Sequence, residues 1–237
     1  MKRVIFIISL ALTVSILGAQ DLDQIIKLSN KAIGTDARSK IMHLQSGGYY
    51  VISGTEIKMP FKLKQSKPNK IRIETTVIGL KGIQTYDGQK AWLLNPLQGI
   101  EAKPADTEDM AFISATTAID GPFLNRADKR SPSYVGAKEY KGSSCFVVRI
   151  TKSMEEHIDY YIDDKTYLIK FIRYEYKKNG AWYSMEYKVI NYMDFEGAVF
   201  PEEISVAING VEMTSLYLTK MKIVTEMNDK LFMKPSY

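Results

Sequence analysis

Beginning near Met42, apolar and polar side chains of this chain alternate at every second position. The pattern is cleanest where Ile57, Met59, Phe61 and Leu63 oppose Lys58, Lys62 and Lys64, and where Ile71, Ile73, Thr75 and Val77 oppose Lys70, Arg72 and Glu74. A helix cannot use a period of two, whereas a strand with one wet and one apolar face requires it. Turn signals at Ser53-Gly54, Lys67-Pro68-Asn69, Asp87-Gly88 and Asn95-Pro96 separate the runs, as in a meander of antiparallel strands. Later strands are expected from about Ser144 to Thr151, His157 to Asp163, Leu168 to Lys177, Trp182 to Tyr192, Val199 to Ile208 and Glu212 to Val224. Asn179-Gly180 and Asn209-Gly210 supply tight hairpin turns between them.

Two segments depart from this period. Leu22, Ile25, Ile26, Ala32 and Ile33 follow helical spacing, with Asp21 as N-cap, Gln24 three residues on and Gly34 as the stop. A second helix is expected from near Asp106, carrying Met110, Phe112, Ile113 and Thr117, and ending before Asp120-Gly121-Pro122. A long antiparallel sheet that is apolar on one side must curl, close or be covered, and two helices are available to cover it. Alternation reports burial and not what does the burying, so a dry core and a partly filled cavity both satisfy it.

Composition is that of an ordinary globular chain, with 45% apolar and 25% charged residues. No repeat or linker divides it, so residues 20–237 read as a single domain. Residues 1–19 read as a secretory signal peptide: Lys2 and Arg3 precede an apolar run from Val4 to Leu17, then Gly18 and Ala19. That run is shorter than the roughly 20 residues a membrane-spanning helix needs. Cleavage is expected after Ala19, and without a cysteine at the processed position the mature chain is expected to be periplasmic and unlipidated. Lys plus Arg number 32 against 27 Asp plus Glu, and removing Lys2 and Arg3 lowers the excess from +5 to +3. So mild a charge, interleaved along the chain, argues against a nucleic-acid partner.

Catalytic patterns are scarce. The two histidines, His43 and His157, form no metal-binding pair, and Cys145 is the only cysteine, which excludes a zinc site of Cys and His ligands and any internal disulfide. Apolar neighbours Phe146, Val147 and Val148 suit a buried, inert thiol. Gly142-Ser143-Ser144-Cys145 lacks the closing glycine of a nucleophile elbow. Glu155, Glu156 and Asp159 near His157 read as a polar strand entry before an acid/base cluster, and Asp163-Asp164 as a hairpin turn before a metal site. The chain is read as no enzyme, with no cofactor and no metal. Fifteen tyrosines sit mainly on expected strands, where they suit either a half-buried pleated surface or the rim of an amphipathic pocket.

Several local strings, in order, resemble the outer-membrane lipoprotein-sorting group of the superfamily that holds the periplasmic lipoprotein carrier LolA and its receptor LolB. They are the first helix; Lys67-Pro68-Asn69-Lys70-Ile71-Arg72-Ile73-Glu74; Gln84-Thr85-Tyr86-Asp87-Gly88 with Ala91-Trp92 and Asn95-Pro96; Asp120-Gly121-Pro122; Tyr160-Tyr161-Ile162-Asp163 with Thr166-Tyr167-Leu168; Phe200-Pro201; and Asn228-Asp229, Leu231-Phe232 and Lys234-Pro235. The resemblance implies a mainly β fold, an unclosed (half) antiparallel β-barrel of about ten to eleven strands, with the N-terminal and mid-chain helices as a lid. It also implies a hydrophobic cavity that accepts acyl chains, with a lipid or an acylated lipoprotein as partner. A related periplasmic sensor uses this fold to restrain an anti-sigma factor, so an envelope membrane protein is the alternative partner. The carriers place an arginine before the proline of the strand end, bonded to the lid; here that position is Lys67, and lysine has no planar fork. The expected ligand-binding faces are Met59, Phe61 and Leu63 with Ile71, Ile73 and Val77, and Trp92, Leu94, Met110 and Ile113 are expected as lid or wall contacts.

Overall fold

A computed structural model describes residues 22–105, 118–123 and 131–236. Its alternating runs pair into one antiparallel sheet. In chain order the strands are β1 (His43–Ile52), β2 (Lys58–Ser66), β3 (Lys70–Val77), β4 (Leu80–Tyr86), β5 (Ala91–Leu94), β6 (Lys103–Pro104), β7 (Ser133–Tyr140), β8 (Ser143–Ser153), β9 (Glu156–Asp163), β10 (Ile169–Lys178), β11 (Ala181–Phe195), β12 (Ala198–Ile208) and β13 (Val211–Val224). Among the described residues the sheet has 13 strands in the order β6-β5-β4-β3-β2-β1-β13-β12-β11-β10-β9-β8-β7. β6 and β7 form its two edges and do not meet, so the barrel is unclosed. The strand count exceeds the expected ten to eleven, because the two-residue β6 and the exposed edge strand β7 carry little alternation.

The turns sit where the sequence marks them. Asn179 and Gly180, and likewise Asn209 and Gly210, all have positive φ, the geometry that lets a two-residue turn follow the twist of its strands. β1 and β13 join the two halves of the sheet, with His43 opposite Val224 and Tyr50 opposite Leu216. A bulge at Gly47/Gly48 interrupts that pairing.

Residues 22–32 form the first helix, α1. Its apolar stripe, with Ile25 buried and Leu22 and Ile26 partly so, packs on Val148, Tyr160, Ile172, Tyr187 and Val206 from β8 to β12. Gly34, at φ 70, turns the chain into a short second helix, α2 (Thr35–Ser39), which the sequence reading does not contain. α2 covers the lower end of the sheet, where Ile41, Leu44, Ile119, Ala198 and Phe200 form a second apolar cluster. The expected mid-chain helix, with Met110 and Ile113, lies outside the described residues, as do the expected signal peptide and the Val77 side chain.

The opposite, outer face is also partly covered. A 3-10 turn at Asp229–Phe232 buries Phe232, and the adjoining backbone accepts hydrogen bonds from β3 and β4: Arg72 Nη1 to the Leu231 carbonyl at 3.0 Å, and Thr85 Oγ1 to the Met233 carbonyl at 3.0 Å.

Candidate functional site

The strand register assigns every inward side chain. One row crosses the sheet through Met221, Ser46, Leu63, Ile73 and Gln84, and the next through Leu44, Gln65 and Ile71. Over these rows lies a cavity of about 330 Å³. One wall comes from β1 to β4, with Phe61, Leu63 and Ile73. The facing wall comes from β11 to β13, with Tyr187, Ile204, Val206, Leu216 and Leu218. Side chains from strands so far apart in one sheet border a single space only because the sheet curls over its apolar face.

Of the residues expected to bind a ligand, Phe61, Leu63 and Ile73 border this cavity. Met59 is on the same face, opposite Tyr50 and half-buried, but outside the lining. Ile71 is buried one pair beyond, against Tyr86 and Ala91. Trp92 and Leu94 are corrected: both lie on the outer face. Trp92 pairs with Thr85, and the Lys234 ammonium sits 5.3 Å from its ring centre. Leu94 is fully buried against Ile83 and Ala102. The period of two locates a buried face but does not say on which side of the sheet it lies, and the C-terminal segment supplies a second buried face. The facing wall of β11 to β13 was missed at the sequence level; alternation along Tyr187, Val189 and Ile204, Val206 carries its signal.

The end of the cavity nearest α2 is polar. Arg38 is buried there, donating from Nε to the Ile33 carbonyl at 3.1 Å, from Nη1 to the Ile119 carbonyl at 3.1 Å and from Nη2 to the Val199 carbonyl. Its guanidinium carbon lies 4.1 Å from the Phe200 ring centre. Burial lowers its pKa to about 10, opposed by the nearby Tyr192 and Asp120, so it stays charged at neutral pH. Lys67 pairs with Asp120 and donates to the carbonyls of Arg38 at 2.9 Å and Ser39 at 3.1 Å. Its single ammonium thus reaches both the end of α2 and the 118–123 segment without a fork. Burial raises the Tyr50 hydroxyl to about 12 and the Tyr192 hydroxyl further still.

Several of the residues considered for catalysis or a metal have structural partners. Cys145 is fully buried and burial pushes its thiol pKa up. Ser144 and His157 stand at opposite ends of the β8–β9 hairpin: Cys145 faces Asp163 while His157 faces Thr151, a separation of about 20 Å along the strand. His157, Asp159 and Glu175 place donor atoms within 4.8 Å of one another. Arg149 nevertheless occupies both Asp159 oxygens at 2.6 and 2.7 Å, and His157 Nε2 lies 2.9 Å from Glu175 Oε2. Asp163 Oδ1 accepts from the Thr166 N–H and hydroxyl and the Lys165 N–H, which makes it the anchor of a turn.

No helix among the described residues is long and apolar enough to cross a membrane. No protein-family model matches the chain, and no curated protein does either. Crystal structures do match over most of its length. A LolA superfamily protein from Nitrosomonas europaea aligns with a TM-score of 0.59 at 12% identity, over 90% of this chain and 97% of that one. A putative outer membrane lipoprotein-sorting protein domain from Vibrio parahaemolyticus gives 0.57 at 14%, over 84% and 93%. A DUF1329 family protein from Desulfovibrio piger gives 0.57 at 13%, over 88% and 96%. Sheet order, covering helices and these likenesses together identify the fold of this chain as LolA-like.

Proposed function

We propose that the chain is a periplasmic carrier, of the outer-membrane lipoprotein-sorting type, that shelters acyl chains of lipids or lipoproteins in its apolar cavity and catalyses no reaction. The observation that carries this reading is the cavity of about 330 Å³ between β1–β4 and β11–β13, its walls mainly aliphatic and aromatic. Sequestering each methylene of an acyl chain from water contributes about 0.8 kcal/mol. A lipid therefore does not leave a bilayer for water unaided, and a curled sheet with a covered apolar face offers it an alternative. The structural neighbour named for lipoprotein sorting supports the same class of cargo.

Native mass spectrometry and solvent extraction of protein exported with its own leader, and purified without detergent, test this directly. A lipid or acyl-peptide adduct is expected. A clean apo mass, together with failure to take up an apolar fluorescent probe, would reject the carrier and leave an envelope membrane protein as the partner to seek. Phe61→Asp or Ile73→Asp is expected to abolish probe uptake; folded variants with unchanged uptake would remove that wall from the site.

A further inference from the structure

The cavity has two chemically different ends. Away from α2 it is lined by Tyr50, Phe61, Ile204, Val206, Leu216 and Leu218; the Thr214 hydroxyl there is spent on the Val51 carbonyl at 2.8 Å, and the Tyr50 hydroxyl is a further polar group. Toward α2 it carries Ser46, Gln65 and Arg38 among Leu44, Phe200 and Met221. Ser46 and Gln65 are diagonal neighbours on β1 and β2, whereas Gln84 stands three strands along the row from Ser46, beyond Leu63 and Ile73. Ser46 is only 9% exposed, and among the described residues its hydroxyl has no hydrogen-bond partner. Leaving a buried hydroxyl unpaired is unfavourable, and on an inward-facing wall of a cavity the missing partner is supplied by whatever fills it.

Size and charge narrow the occupant. A cavity of about 150 Å³ takes up one benzene. At about 330 Å³ this one is roughly twice that and at the lower end of the range of ligand pockets, about 300–1,000 Å³. That is space for one chain of about a dozen carbons. Near the polar end Arg38 and Lys67 carry two positive charges against Asp120 and the exposed Glu202, two residues from the Phe200 ring that Arg38 touches. The Arg38 nitrogens are already donating to three carbonyls, so Arg38 supplies a positive field rather than a fork. The exposed Glu202 is the only carboxylate among the described lining residues.

We propose that the cavity takes a single-chain acyl ligand, its tail along Phe61, Ile204 and Leu216 and its acyl oxygen, of a carboxylate or an ester, accepting a hydrogen bond from Ser46 beside the Gln65 amide. This deepens the carrier reading and rests on it.

The test uses delipidated full-length mature chain with lauric acid, methyl laurate and dilauroyl phosphatidylglycerol, read by titration calorimetry and native mass spectrometry. One laurate or one laurate ester per chain is expected, with the two-chain lipid at least about tenfold weaker. A preference for the acid identifies a carboxylate head; equal binding identifies the shared carbonyl. Ser46→Ala is expected to cut affinity by roughly three- to tenfold. The same Ser46→Ala change is expected to leave the melting temperature of the ligand-free protein within about 2 °C of wild type, because water in the empty cavity pairs with the hydroxyl. A serine with only a structural role would lower affinity only together with stability. Two-chain lipid bound as tightly as laurate, or laurate affinity unchanged in folded Ser46→Ala, would overturn the proposal. Wild-type protein that refuses the apolar probe and all three lipids would instead overturn the carrier reading beneath it.

Discussion

Asp159 and Asp163 sit four residues apart on β9 and both face outward, yet they stabilise the chain in different ways. Asp159 is buried and grips Arg149 through both oxygens, and that hydrogen bonding raises the arginine pKa against the opposing effect of burial. Arg149 itself is about one-third exposed, so part of its charge stays hydrated when its partner is lost. Asp159→Ala is therefore expected to cost about 1–3 kcal/mol in a urea titration, short of a fully buried pair. For Asp163, burial alone would raise the carboxyl pKa, but the Thr166 and Lys165 donors outweigh it and leave it below the ordinary 3.8. A depressed folded value means the stabilisation is fully present above pH 3.8 and is lost as pH falls toward the folded value. Asp163→Asn keeps the turn and removes the charge, so it is expected to be less stable than wild type at neutral pH, with the gap closing on acidification. Cys145 and the Asp163 turn were legible in the sequence because their surroundings are local. The Arg149–Asp159 pair was not, since it depends on the register of two strands.

Among elements, long alternating strands were read to within a few residues, and the hairpin turns with them. What escaped were elements whose existence is set from outside: β6, β7 and α2. The same limit governed the site. Phe61, Leu63 and Ile73 were found on the cavity wall because β2 and β3 have one apolar face each, whereas Trp92 and Leu94 were assigned to the wrong face because the chain's last residues cover β3–β5 from outside. Trp92→Ala is accordingly expected to lower stability while leaving apolar-probe uptake unchanged. If uptake falls in folded Trp92→Ala, the cavity extends beyond the walls described above. Two glycines hold elements together by close approach. A Cβ on Gly48 would stand 1.7 Å from the Tyr217 carbonyl oxygen at the β1–β13 bulge, and one on Gly34 would stand 2.1 Å from that of Gly197. Either change to alanine forces backbone to move, and a loss of about 2 kcal/mol or more is expected by thermal or urea unfolding.

At the scale of the whole sheet, apolar packing is uneven. β8 to β12 share the large cluster beneath α1, whereas β3 to β5 contribute only the small groups around Ile71 and Ile83. Native-state hydrogen exchange is expected to protect β8–β10 most strongly and to open β4 and β5 first; equal protection across the sheet would refute this ordering. The order of strands has a further consequence for the chain as it is made. β1 is among the first strands to leave the ribosome or the export channel, and its second neighbour, β13, is the last. Until Val211–Val224 has emerged, β1 and β12 are both bare edges, and Tyr50 and Ile204 face each other across the open seam that Leu216 later fills. The cavity comes into existence only when the final strand is laid between them. Nothing can be loaded during synthesis, and a chain truncated before β13 is left with two strands poised to pair with another copy of itself.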